Sequence, residues 1–122
     1  MPGSTEPRDW AKQPELFGRY PQIEWREADR LDDQIGLDAA RTQHDITYLA
    51  RQIRQHRRLG PWKDLADKTG MSAYQLTKVL RGQAHLSLRH AAGLSRVLGP
   101  LLVGGTEARQ MLAERADRER RG

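Results

Sequence analysis

Residues 62–81 read WKDLADKTGMSAYQLTKVLR, and this spacing predicts two short helices joined by a tight turn. Leu65, Ala66, Met71, Leu76 and Val79 fall on inward positions, with Gly70 where the first helix must end. Ala66 is small where the helices approach most closely, and Gly70 is free to take the positive φ that such a helix end often requires. Ser72, followed three residues later by Gln75, fits a capping box in which hydroxyl and amide each satisfy an orphaned backbone N–H. Gly82 stops the second helix. This is the pattern of a helix-turn-helix; the competing reading is a helical hairpin that packs only on itself.

A chain of 122 residues is enough for one domain with a single modest core. An apolar share of 37% and a mean hydropathy of -0.83 are low for a self-contained globule, so an elongated shape, polar ends or a hydrophobic surface completed by a partner is expected. The absence of cysteine excludes disulfides and thiolate metal sites. No apolar run approaches the roughly 18 residues of a membrane span, and the first residues lack the basic and apolar regions of a secretory signal. The expectation is a cytoplasmic protein with no membrane partner.

Charge is unevenly placed. Residues 1–45 carry six basic and ten acidic side chains, residues 46–105 ten and two, and residues 106–122 five and four, for regional net charges of -4, +8 and +1. The positive charge gathers on the segment that holds the two-helix pattern, as a phosphate backbone would select.

Between Met1 and Pro21, prolines at 2, 7, 14 and 21 leave no periodicity, so this stretch reads as an arm. It carries Trp10, Leu16, Phe17 and Tyr20, more aromatic surface than a disordered tail displays, and part of it is expected to dock on its own domain or on a partner. Ile35, Ala39, Thr42, Ile46, Leu49 and Ile53 alternate at four- and three-residue steps and line one helical face. Gly36 and Asp38 offer a break and a fresh cap, which predicts one helix over about 23–35 and another over about 38–58. The second supplies Ile46, Leu49, Ala50 and Ile53 to the core. Further helices are expected over 62–69 and 72–81. Another opens at Ser87, with Leu88, Ala91, Ala92, Leu94, Ser95 and Leu98 as its apolar face, and closes at Gly99 and Pro100. A last helix is expected from Thr106 through Met111 and Leu112, read equally as a dimer contact or a solvated tail.

At helical spacing, Tyr74, Lys78 and Arg81 lie opposite Leu76, Val79 and Leu80, flanked by Gln75 and Thr77. Base readout is assigned to Ala73, Tyr74, Thr77 and Lys78, in the turn and face that enter a major groove. Phosphate contacts are assigned to Ser72 and Gln75 at the positive end of that helix, and to Lys63, Arg81, Gln83, His85 and Arg89. The run Arg51, Arg54, Arg57 and Arg58 reads as basic surface, and Trp62 as a lid on the core rather than a phosphate donor.

LARQIR at 49–54, KDLADKTGMSAYQLTKVLRG at 63–82 and SLRHAAGLSRVLG at 87–99 together resemble the Cro and phage-repressor type of DNA-binding domain, the XRE-type helix-turn-helix family. The resemblance covers roughly residues 45–103. Two places depart from it: Thr69 stands where the family has an aliphatic residue, and Leu59 to Trp62 is not the usual Gly-hydrophobic-Ser-Gln opening. The resemblance implies a small all-α domain that binds operator DNA, commonly as a dimer, and regulates transcription.

The expected fold is therefore all-α, a compact four- to five-helix bundle with a central helix-turn-helix. Residues 1–44 form an arm and acidic helix, 45–103 the DNA-binding domain, and 104–122 a C-terminal helix and frayed tail. The expected function is a sequence-specific regulator of the repressor kind, binding double-stranded DNA as a homodimer and associated with the nucleoid. The competing function is an antitoxin or adaptor whose segment 1–44 binds a partner protein while the basic domain holds DNA. Enzymatic activity is not expected. His44, His56, His85 and His90 match no ligand spacing such as HExxH, the Gly104–Gly105 pair follows no strand, and no catalytic residue, cofactor or metal is assigned.

Overall fold

The inward positions of the two-helix stretch are the buried ones. A computed structural model describes residues 5–99, Leu101, 114–115 and 117–120. Its helices are α1 Leu31–Arg57, α2 Trp62–Thr69, α3 Ala73–Leu80 and α4 Leu88–Leu98, preceded by 3-10 turns at Pro7–Trp10 and Pro14–Leu16. Leu65, Ala66, Met71, Leu76 and Val79 are all buried. With Leu49 and Ala50 of α1, Leu94 and Leu98 of α4, and Leu101, most of them form one core on which Ile46, Ile53 and Trp62 pack at its edge. Each leucine buried this fully contributes about 1.5–3 kcal/mol. The chain is an all-α bundle: among the described residues the extended pairing is a single antiparallel bridge, Ala11 with Trp25.

Local chemistry sets the helix ends. Pro61 caps α2 without occupying a helical N–H position, and Gly70 ends α2 at φ 80°. Ser72 opens α3 and Ser87 opens α4, each accepting a backbone N–H three residues on. α4 crosses the end of α2 so closely that a Cβ on Gly93 would strike the Thr69 carbonyl. The Thr69 hydroxyl donates to Ala66 O at 2.6 Å and accepts from Met71 N at 3.3 Å, so this buried polar side chain is satisfied in an aliphatic setting.

The first half of the chain differs from its expected course. Instead of two helices broken near Gly36, α1 runs unbroken through it, and residues 23–30 lie outside any helix. Gly36 is bare because the Trp10 indole lies on it, 3.0 Å from where a Cβ would stand. Trp25 is held extended in its bridge, where Lys12 N donates to Glu24 O at 3.0 Å and Arg26 N to Trp10 O at 2.8 Å. The junction expected between 44 and 45 thus falls inside one helix.

The apolar stripe also marks the wrong face of the first half of α1. Ile35 is 57% exposed, and Ala39 and Thr42 are exposed too. The buried face there is Ala40, Gln43, His44 and Thr47. It is polar because the arm lies on it. Gly18 N donates to His44 Nδ1 at 2.8 Å, the Phe17 ring meets His44 edge-on at 5.5 Å, and Arg8 N donates to Gly82 O at 3.0 Å. Trp10 and Phe17 are buried, so the arm docks on its own domain, and Pro7 and Pro14 each open one of its 3-10 turns.

On α4, Ala91, Leu94 and Leu98 face the core as expected, but Leu88 is 81% exposed and Ala92 is exposed. These two lie about 40° apart on the flank of the buried face, off the side that meets α2. The expected helix from Thr106 through Leu112 lies outside the described residues. Residues 114–115 and 117–120 are helical, and Glu119 Oε1 stands 3.4 Å from His56 Nε2 on α1. Among the described residues no helix is long and apolar enough to cross a membrane.

Candidate nucleic-acid interface

Burial of Leu76, Val79 and Leu80 turns the other side of α3 to solvent. At its start the capping box closes in both directions: Gln75 N donates to Ser72 Oγ at 3.1 Å, and Ser72 N to Gln75 Oε1 at 3.2 Å. This leaves the Ser72 hydroxyl hydrogen and the Gln75 amide N–H groups available to an outside acceptor. Ala73 is exposed, and Tyr74 is 70% exposed. One turn on, half-buried Thr77 donates its hydroxyl to Ala73 O at 2.9 Å, which fixes its rotamer. Lys78 Nζ sits 4.9 Å from the centre of the Tyr74 ring, a cation–π pair that holds the ammonium over the exposed face.

Around this face the structure separates what it joins from what it only leaves exposed. Ser72 with Gln75, Ala73 with Thr77, and Tyr74 with Lys78 are paired as above. Lys63 on the first turn of α2, His85 in the loop before α4 and Arg89 on the first turn of α4 are exposed; among the described residues no hydrogen bond or ion pair joins them to the α3 group. Gln83 is half-buried, with its backbone N donating to Lys78 O at 2.9 Å. Arg81 caps the C-terminal end of α3 and is exposed.

Comparison of the chain with protein-family models, curated proteins and solved structures finds no match.

The residues that hold this face in place carry no motif signal. Gln43, buried on α1, donates from Nε2 to Val79 O at 3.1 Å and Ala84 O at 2.9 Å, and accepts from Leu86 N at 2.9 Å on Oε1. One side chain thus ties the end of α3 to the loop that carries Gln83 and His85. Three arginines of α1 cap carbonyls rather than simply face solvent. Arg51 Nη2 donates to Leu80 O at 3.1 Å, Arg54 Nη1 to Gly60 O at 3.0 Å, and Arg57 Nη1 to Leu98 O at 3.2 Å. Two of these carbonyls close α3 and α4, where orphaned acceptors and the negative helix end favour a cation. Burial pushes the Arg51 guanidinium below the ordinary arginine range, and the charges of Arg19, Arg54 and Arg81 push in the same direction. The Trp62 ring lies 5.1 Å from the Arg54 guanidinium carbon, and its buried Nε1 has no hydrogen-bond partner. That placement makes Trp62 the lid the sequence suggests.

Proposed function

We propose that the protein is a sequence-specific double-stranded DNA-binding transcriptional regulator, a repressor of the XRE type, that reads the major groove with α3 and works as a homodimer on the nucleoid. The observation that carries the proposal is the outward side of α3, where exposed Ala73 and Tyr74 and the Tyr74–Lys78 pair stand in the first two turns of a helix capped by Ser72. In a helix-turn-helix these turns reach base edges. In this reading Lys78 donates to guanine O6 and N7, while Ala73 or the Tyr74 ring packs on a thymine methyl. Lys63, Ser72, Gln75, Arg81, Gln83, His85 and Arg89 fix the register through phosphates. The +8 charge of residues 46–105 and the XRE-like spacing support the same assignment.

Selection of bound duplexes from a random pool with purified protein tests it. The expected outcome is a palindrome with half-sites about one helical turn, 10–10.5 bp, apart; no enriched sequence, or a monomer by light scattering on enriched DNA, sinks the symmetric reading. On the selected site, Lys78→Ala is expected to lose about 1–3 kcal/mol of discrimination at one base position. Arg89→Ala weakens all duplexes alike and lowers the salt slope. Equal losses everywhere for Lys78→Ala remove it as a reader.

A second reading, an antitoxin or adaptor that binds a partner protein through 1–44, draws on Leu31 and Ile35, one turn apart on α1 and 69% and 57% exposed. Co-purification of a partner that Ile35→Asp releases favours it.

A further inference from the structure

Three arginines from separate parts of the chain, Arg19, Arg51 and Arg81, meet at the last turn of α3, with Arg54 one turn from Arg51 on α1. Arg51 and Arg54 come from α1, Arg81 caps α3 and Arg19 comes from the arm. Arg51 donates to the Leu80 carbonyl at 3.1 Å, and the arm reaches the same carbonyl, which lies 3.1 Å from where a Cβ on Gly18 would stand. Arg19 is the next residue. The Nε atoms of Arg51 and Arg54 are buried without a hydrogen-bond partner, while Arg19 and Arg81 are exposed. Arg8–Glu6, Lys12–Glu24, His56–Glu119 and Arg120–Asp117 are ion-paired among the described residues. None of them supplies the cluster with a carboxylate.

Like charges held close together raise the free energy of the folded state, and a polyanion laid against them relieves it. Burial first, and then the charges of Arg19, Arg54 and Arg81, disfavour the charged Arg51 guanidinium. We propose that Arg19 and Arg81, with Arg51 held at the Leu80 carbonyl, form a seat for a DNA backbone phosphate, so that the N-terminal arm is part of the DNA-binding surface. The proposal rests on the DNA-binding reading above. It assigns the arm affinity without base readout, because guanidiniums on phosphate position a protein without specifying sequence.

Arg19 is the informative position, being exposed and outside every helix. Fluorescence anisotropy of the full chain on matched and scrambled duplexes across salt is the measurement. Arg19→Ala is expected to weaken both duplexes by the same factor and to reduce the salt slope by about one. Between about 50 and about 200 mM salt the variant then loses about 3.5-fold less affinity than the unaltered chain. Arg19→Lys keeps the slope, Arg30→Ala keeps it as a control of equal net charge, and the thermal melt of Arg19→Ala is unchanged. An unchanged slope for Arg19→Ala, or an equal drop for Arg30→Ala, overturns the phosphate seat while leaving the DNA-binding reading standing. Failure of the unaltered chain to bind any duplex at low salt overturns both.

Discussion

Gly70 and Gly82 end α2 and α3 with nearly the same positive φ, 80° and 74°, yet their surroundings differ. Nothing lies within 4 Å of a Cβ built on Gly70, whereas one on Gly82 would stand 2.7 Å from the Phe17 ring. At Gly70 the backbone angle alone demands glycine; at Gly82 a ring brought in by the N-terminal arm demands it as well. The same contrast separates the helix-turn-helix from the arm. The first is set by partners a few residues apart, such as Ser72 with Gln75 and Thr69 with Ala66. The second is held by reach across the chain, from Gly18 to His44 and from Arg8 to Gly82. Local contacts are cheap in loop-closure entropy and form one helix end; distant ones must close a long loop before they contribute.

The sharpest way to break the contrast is to ask whether the arm belongs to the cooperative unit. Phe17 is 1% exposed and Leu76 is fully buried, so each leaves a cavity when truncated. Phe17→Ala is expected to destabilise by about 3–5 kcal/mol and Leu76→Ala by about 2–5 kcal/mol, with a single urea transition in both. If Phe17→Ala leaves the midpoint where it was while Leu76→Ala lowers it, the arm is a passenger and the long-range contacts add nothing to folding.

What is legible in the sequence follows the same division. The turn at Gly70, the Ser72 and Ser87 caps and the inward set of α2 and α3 rest on local periodicity and capping, and the structure has them where the spacing puts them. The first half of α1 defeats periodicity because its buried face is polar. Gln43, His44 and Thr47 are buried against the arm and the loop after α3, and hydrophobic periodicity has no means of scoring a face whose burial depends on hydrogen bonds to distant backbone. Gly36 misleads for a related reason: a glycine that admits an indole and a glycine that breaks a helix look alike until Trp10 is placed on it. The outward residues of α3 follow from its inward ones. The arginines of α1 carry a charge signal and no hint that Leu80, Gly60 and Leu98 carbonyls are their acceptors.

Gln43 measures how far that polar face is structural. Its amide satisfies two carbonyls and one N–H, and Gln43→Ala leaves all three without that partner. An expected loss of about 2–4 kcal/mol follows from the desolvation of groups left unpaired, together with faster hydrogen exchange at the Leu86 amide. Loss of stability with Leu86 still protected would mean that water or a shifted loop replaces the side chain, and that the α3-to-α4 loop does not depend on α1.

The smallest effect separates local capping from its reciprocal form. Ser72 and Ser87 each accept one backbone N–H, at 3.1 Å in both cases, but only at α3 does a side chain three residues on return a bond to the cap, Gln75 Oε1 accepting from Ser72 N at 3.2 Å. Replacing either serine by alanine removes one acceptor and is expected to cost about 1 kcal/mol. Ser72→Ala leaves the Gln75 bond to the backbone in place, so the two single losses should match within a few tenths of a kcal/mol. Adding Gln75→Ala to Ser72→Ala then exposes the second half of the box, and the double variant is expected to lose more than Ser72→Ala alone, read as a further shift of the urea midpoint. No further shift would mean that α3 starts where it does because Leu76 and Val79 are buried, with the cap following the core rather than fixing it.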